Sequence, residues 1–201
     1  MEYENKKDLV NVKIVLLGSY GVGKTTLAKM FIGDKGIRDE SRRATIGADI
    51  YAVRKEYNIE PFGKIGIMWS IFELAGAYHF RKIHEDYYKD ARAAIVMFDL
   101  CRRESLEDVS MWISDFIKNV GDDKPIVIVG NKADMRGITR CMSSSDAVAY
   151  IKKIKDAVTA PIRYIEISAI NGINVEKVFE ELATLLAEWI IKTKKQENKE
   201  T

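Results

Sequence analysis

The stretch GSYGVGKT, Gly18 to Thr25, follows the apolar run VKIVLL and precedes an amphipathic segment. The spacing Gly18, four residues, Gly23, Lys24, Thr25 requires a strand, a tight glycine turn and a helix in that order. Glycine lets successive backbone N–H groups turn inward, and the helix that follows adds the positive end of its dipole, so the turn cradles phosphate. Lys24 is placed to meet the β- and γ-phosphates of a nucleoside triphosphate and Thr25 to put its hydroxyl on Mg²⁺. Ser19, Tyr20, Gly21, Val22, Gly23 and Thr26 complete the loop.

The rest of the chain agrees with the α/β architecture that such a loop needs. β-branched runs predict strands at Val10 to Leu17, Asp49 to Asn58, Lys64 to Phe72, Ala93 to Leu100, Pro125 to Gly130 and Ile162 to Ser168. The short IEPFG connection makes the second and third an antiparallel hairpin. Helical periodicity covers Gly23 to Phe31, Ser105 to Val120, Ser145 to Val158 and Val175 to Ile191, with stripes such as Leu106, Val109, Trp112, Ile113 and Phe116 facing a core. The expectation is a mainly parallel sheet of about six strands, with helices on both faces. An extension over 1–9, one domain over 10–192 and a polar tail over 193–201 complete the reading, with the polar ends 1–7 and 194–201 frayed.

At 201 residues there is room for one domain with a sizeable core, and a net charge of +2 with no basic, aromatic platform argues against nucleic acid. The two cysteines, Cys101 and Cys141, form neither a disulfide framework nor a metal-ligand spacing, which fits a reducing compartment. MEYENKKDLV lacks a signal core, and KTKKQENKET lacks a cysteine to prenylate. The expected protein is cytoplasmic, monomeric and without a lipid anchor, reaching membranes only through a partner.

The base is indicated by NKAD, Asn131 to Asp134, after the strand PIVIVG. The Asp134 carboxylate can accept from guanine N1–H and from its exocyclic amine. Adenine offers no such pair of donors on that edge, so a carboxylate buried there would stay unpaired.

With these motifs in place the chain resembles the Ras superfamily of small GTPases, its Rab branch most closely, over roughly Val10 to Ile191. GSYGVGKT, TIGAD (Thr45 to Asp49), FELAG (Phe72 to Gly76), NKAD and ISAI (Ile167 to Ile170) look like its five nucleotide motifs in order. The resemblance implies a G domain that binds Mg²⁺ and GTP or GDP and works in trafficking or signalling through an exchange factor, an activating protein and effectors. It implies that Thr45 closes over the γ-phosphate and Mg²⁺, that Gly76 donates its N–H to the same phosphate, and that losing this phosphate releases both switches. Lys132 lies along the base, the N–H of Ala169 meets guanine O6, and Ser168 and Ile170 flank that contact.

Departures bear on turnover. Glu73 stands where the family has Asp as a water-mediated Mg²⁺ ligand, Ala77 where it has the water-orienting Gln, and Tyr20 where a small residue is common. An aromatic that would stack on guanine is missing near Gly36 and Ile37, so nucleotide affinity is expected to be lower than the family norm. Arg42, three residues before Thr45, is similar in spacing to the arginine that heterotrimeric G-protein α subunits supply in cis. The expected activity is therefore slow GTP hydrolysis, with Lys24, Thr45, Gly76 and Arg42 catalytic and water oriented by backbone, Tyr78, His79 or a partner. The alternative is a GTP-loaded scaffold that does not hydrolyse.

Overall fold

In a computed structural model, which describes residues 9–33, 37–38, 47–76 and 85–197, β1 (Leu9–Leu17) lies inside a single sheet. It pairs in parallel with β4 (Gly63–Leu74) on one side and β5 (Ala93–Asp99) on the other. Beyond β5 come β6 (Ile126–Asn131) and β7 (Ile162–Glu166), both parallel. β3 (Ala48–Ile59) runs antiparallel to β4, the expected hairpin, in a register from Ala48 opposite Leu74 to Ile59 opposite Gly63. The two-residue β2 (Ile37–Arg38), too short to read from sequence, adds to the free edge of β3.

Both faces are covered, as the apolar strands demand. Along β5 the side chains alternate: Ala93, Ile95 and Met97 join the core under α1 (Lys24–Ile32) and α6 (Val175–Glu197), where Phe31 stacks on Phe179. Ala94, Val96 and Phe98 face α4 (Val109–Val120) and α5 (Ser144–Ala157). The short α2 (Glu85–Tyr88), which the sequence reading did not propose, buries Tyr88 in that second layer.

Four further expectations change. The single helix over 105–120 is two, α3 (Arg103–Glu107) and α4, meeting at Asp108. β7 ends at Glu166 because the chain then leaves the sheet, and Ser168 bridges to Ile173. Residues 194–197, expected to fray, continue α6, since Lys, Gln and Glu all favour helix. Finally, Cys101 and Cys141 are joined in a disulfide, so cysteine usage no longer argues for a reducing compartment. The residues meet because the Met142 N–H donates to the Leu100 carbonyl at 2.8 Å, clasping the loop before α5 to the end of β5. Among the described residues no helix is long and apolar enough to cross a membrane.

Candidate nucleotide-binding site

Parallel strands deliver their C-terminal ends to one edge of the sheet, where open α/β folds bind ligands. Here the turn after β1, the start of β3 and the end of β4 enclose a cleft of about 720 Å³ lined by Tyr20, Gly23, Lys24, Thr25, Glu73 and Gly76, among others, and the ends of β5 and β6 lie at the same edge of the sheet.

The turn between β1 and α1 is the predicted cradle. Gly23 takes φ +101°, and a methyl group on it would lie 2.2 Å from Asn131 Nδ2, so this position accepts only glycine. Lys24 opens α1 with a side chain 6% exposed, donating to the Gly18 carbonyl at 2.7 Å. Burial pushes its ammonium down to about 8; Glu73 opposes that shift, and the cation of Arg102 adds a smaller lowering. A desolvated cation at the N-terminus of a helix suits a polyphosphate. Ser19 is tied outward, its hydroxyl donating to Asp108 Oδ2 at 2.5 Å, while the Tyr20 side chain stands 81% exposed. Val22 is buried, and Thr26 lies on the cleft wall.

Glu73 is buried and accepts two hydroxyl donors, Thr25 Oγ1 at 2.5 Å and Tyr51 at 3.0 Å. A hydroxyl that gives its proton to a carboxylate presents its lone pairs elsewhere, so Thr25 and Glu73 form the hard-oxygen pair that Mg²⁺ prefers. The longer glutamate thus reaches Thr25 directly. Among the described residues no cluster of His, Cys, Asp and Glu forms a protein-only metal cage, which leaves such an ion to be completed by phosphate and water.

Gly76 lies on the phosphate loop. A Cβ there would come within 2.6 Å of Gly18 O, Ser19 C and Tyr20 N, so any side chain would displace the loop.

At the far end Asn131 is the hub. Its Nδ2 donates to Val22 O at 2.8 Å and its Oδ1 accepts from Ala169 N at 2.9 Å, stitching the phosphate loop to the loop after β7. Ala169 N–H, read from sequence as a donor to guanine O6, therefore already has a protein acceptor and would have to be shared. Lys132 adopts φ +69° and its ammonium lies 2.6 Å from the buried Asp99 carboxylate. Ser168 Oγ donates to Asp134 Oδ1 at 2.6 Å, orienting the carboxylate; Ile170 is exposed beside them. Arg136 braces this corner through a two-pronged pair with Glu166 at 2.5 and 3.0 Å.

Thr45, Arg42, Ala77, Tyr78, His79 and Gly36 lie outside the described residues. Four residues that the sequence reading missed join the site: Tyr51, Asp99, Arg102 and Asp108. Only Asp99, a charge closing the fully apolar run AAIVMF, carried a visible signal.

Comparison with known proteins agrees with this geometry. Residues 13–188 match the model of the Ras family. The chain is 32% identical over 172 residues to the GTP-binding protein yptV5 of Volvox carteri, covering 84% of this chain and 78% of that protein. It is 31% identical over 182 residues to the Ypt/Rab-type GTPase YPT7 of Saccharomyces cerevisiae, covering 89% and 81%. With the Ras-related protein Rab11B of Nicotiana tabacum it shares 32% over 172 residues, covering 86% and 73%.

Proposed function

The chain belongs to the Ras family, as a Rab-like GTP-binding switch protein, and from that premise we propose that it is a guanine-specific switch that hydrolyses GTP slowly by itself. The observation that carries this reading is the Asn131 bridge, which holds a phosphate loop and an aspartate-bearing base loop in one hydrogen-bonded unit. Asp134, fixed by Ser168, takes the N1–H and amine of guanine on its remaining acceptor positions, and Lys132 covers the base. Lys24 and the inward N–H groups of Ser19, Tyr20, Gly21, Val22, Gly23, Thr25 and Thr26 hold the phosphates. Thr25, Thr45 and Glu73 are the residues that would hold Mg²⁺, which when bound neutralises charge developing on the phosphates. Thr45 and Gly76 read the γ-phosphate, so its loss frees the segments that effectors, an exchange factor and an activating protein would recognise.

Slow turnover follows from the residue after Gly76. Ala77 has no amide to orient a water molecule, and Arg42 supplies charge stabilisation on the β–γ bridging oxygen without replacing that function. The scaffold reading rests on the same alanine together with the exposed Tyr20 beside the cleft. The two separate in single-turnover assays on the purified chain. The switch reading expects Ala77→Gln to raise the rate and Arg42→Ala to lower it several-fold while GTP binding is largely kept. An unchanged rate in Arg42→Ala removes that arginine from the mechanism. Binding itself is tested by heat-releasing nucleotide from the purified chain, where adenine nucleotide in place of guanine would overturn the base assignment.

A further inference from the structure

The segment CRRESLED, Cys101 to Asp108, carries no nucleotide motif, yet it forms the outer wall of the phosphate loop. Arg102 Nη2 donates to the Tyr20 carbonyl at 2.6 Å, and its Nη1 lies 3.7 Å from where a side chain on Gly21 would begin. The tyrosine ring plays no part in this contact, being 81% exposed.

The arginine is held from its own main chain. Its N–H donates to Asp99 O at 3.0 Å, and its carbonyl accepts from Ser105 Oγ at 2.6 Å. The preceding residue, Cys101, donates its N–H to Asp99 Oδ1 at 2.9 Å and is bonded to Cys141. Six residues after Arg102, Asp108 takes the Ser19 hydroxyl. Two points of the phosphate loop, Ser19 and Tyr20, are therefore anchored outward by one short segment whose base is the buried end of β5.

Tyr20 O and Gly21 N–H belong to the same peptide unit. In a planar trans peptide they point in opposite directions, so a group that pins the carbonyl on one side aims the N–H at the other. The other side here is the cleft that Gly21 lines with Lys24.

We propose that Arg102 is a positioning residue of the GTPase site: by clamping the Tyr20 carbonyl it fixes the Tyr20–Gly21 peptide with the Gly21 N–H directed at the phosphate chain. A charged donor makes this clamp stronger than a neutral one would be. It also gives the loop a constraint that its sequence otherwise lacks, since Gly21 at φ +76° has the widest conformational choice of any residue. The same cation contributes to the lowering of Lys24, so its charge is felt inside the cleft.

This inference rests on the guanine-nucleotide reading above, and the test keeps the two apart. The unmodified chain, Arg102→Ala and Arg102→Lys are loaded with GDP and Mg²⁺ and compared by ³¹P NMR. Single-turnover GTP hydrolysis and the GDP dissociation rate are measured in parallel. Arg102→Ala should shift the β-phosphate resonance and lower the hydrolysis rate about five- to tenfold. Arg102→Lys, which retains one charged donor, should recover part of both changes. Thermal melts report whether each variant is folded, and an unfolded Arg102→Ala leaves Arg102→Lys, with an intermediate rate and resonance expected, to decide. A β-phosphate resonance and a rate in the folded variants that match the unmodified chain would overturn the role of Arg102 alone. An unmodified chain that binds no guanine nucleotide would overturn the parent reading, and this one with it.

Discussion

The two ends of the candidate site are built on different physics. At the base end, polar groups lock one another and charges are paired. Asn131 spans Val22 and Ala169, Ser168 holds Asp134, and the cations Lys132 and Arg136 are matched by Asp99 and Glu166. At the phosphate end, charge is concentrated: buried Lys24 and Glu73, with Arg102 behind the loop. Of the departures from the family pattern, Tyr20 and Glu73 fall at this second end, whereas NKAD is intact. A satisfied hydrogen-bond network tolerates little change, because each broken partner leaves a buried polar group stranded. On the proposed reading, base choice and turnover rate are thus set in separate places.

The sharpest way to break that separation is Asp134→Asn. Losing the carboxylate should weaken GDP binding by about 30- to 1,000-fold, the equivalent of roughly 2–4 kcal/mol, and favour xanthine nucleotide. Fluorescence titration with both bases checks it, and unchanged guanine affinity would dissolve the distinction between the ends. Next comes Glu73→Gln, which removes the negative charge beside Thr25. Nucleotide retention in Mg²⁺ should drop about tenfold, while the preference of guanine over xanthine stays as it was. Chelating the metal should then accelerate nucleotide release far less in the variant than in the unmodified chain.

A third effect comes from pH. Burial holds Lys24 at about 8 in the free chain, and a bound polyphosphate raises it, since opposite charge favours the protonated form. The complex then binds more protons than the free chain above that value. GTP affinity should be flat below about pH 7 and fall by at most about tenfold per unit as pH rises through 8, with proton uptake measurable by calorimetry in buffers of different ionisation heat. Smallest is Tyr51→Phe. It deletes one of the two hydroxyls on Glu73 and should cost a few-fold in Mg²⁺ affinity, with base preference untouched.

Much of this was legible in sequence because short-range rules govern it. The phosphate loop needs glycines at fixed spacing, and the strands are read from uninterrupted β-branched runs such as AAIVMF and PIVIVG. The base corner was readable as a motif, but the Asn131 bridge was not. It joins positions 109 residues apart, and no local pattern reports that. Arg102 escaped for a similar reason, since RR at the start of a helix looks like solvated surface until the fold lays it against Tyr20. Glu73 looked like a misplaced aspartate in sequence, and only the 2.5 Å contact to Thr25 shows what the extra methylene reaches. The disulfide was missed because forty residues separate its cysteines and the Leu100–Met142 contact that brings them together is purely tertiary.

On the proposed function, an intact base end is joined to a phosphate end able to cleave GTP, though slowly. Single-turnover hydrolysis by the purified, unmodified chain tests it most directly, with GTP pre-bound in Mg²⁺ and the product nucleotide quantified after heat release. Bound GTP should convert to GDP with first-order kinetics at a rate on the order of 10⁻⁴ s⁻¹ or lower, clearly above a protein-free blank. GTP recovered intact, with no GDP above that blank, would contradict it and leave a protein that holds its nucleotide without hydrolysing it.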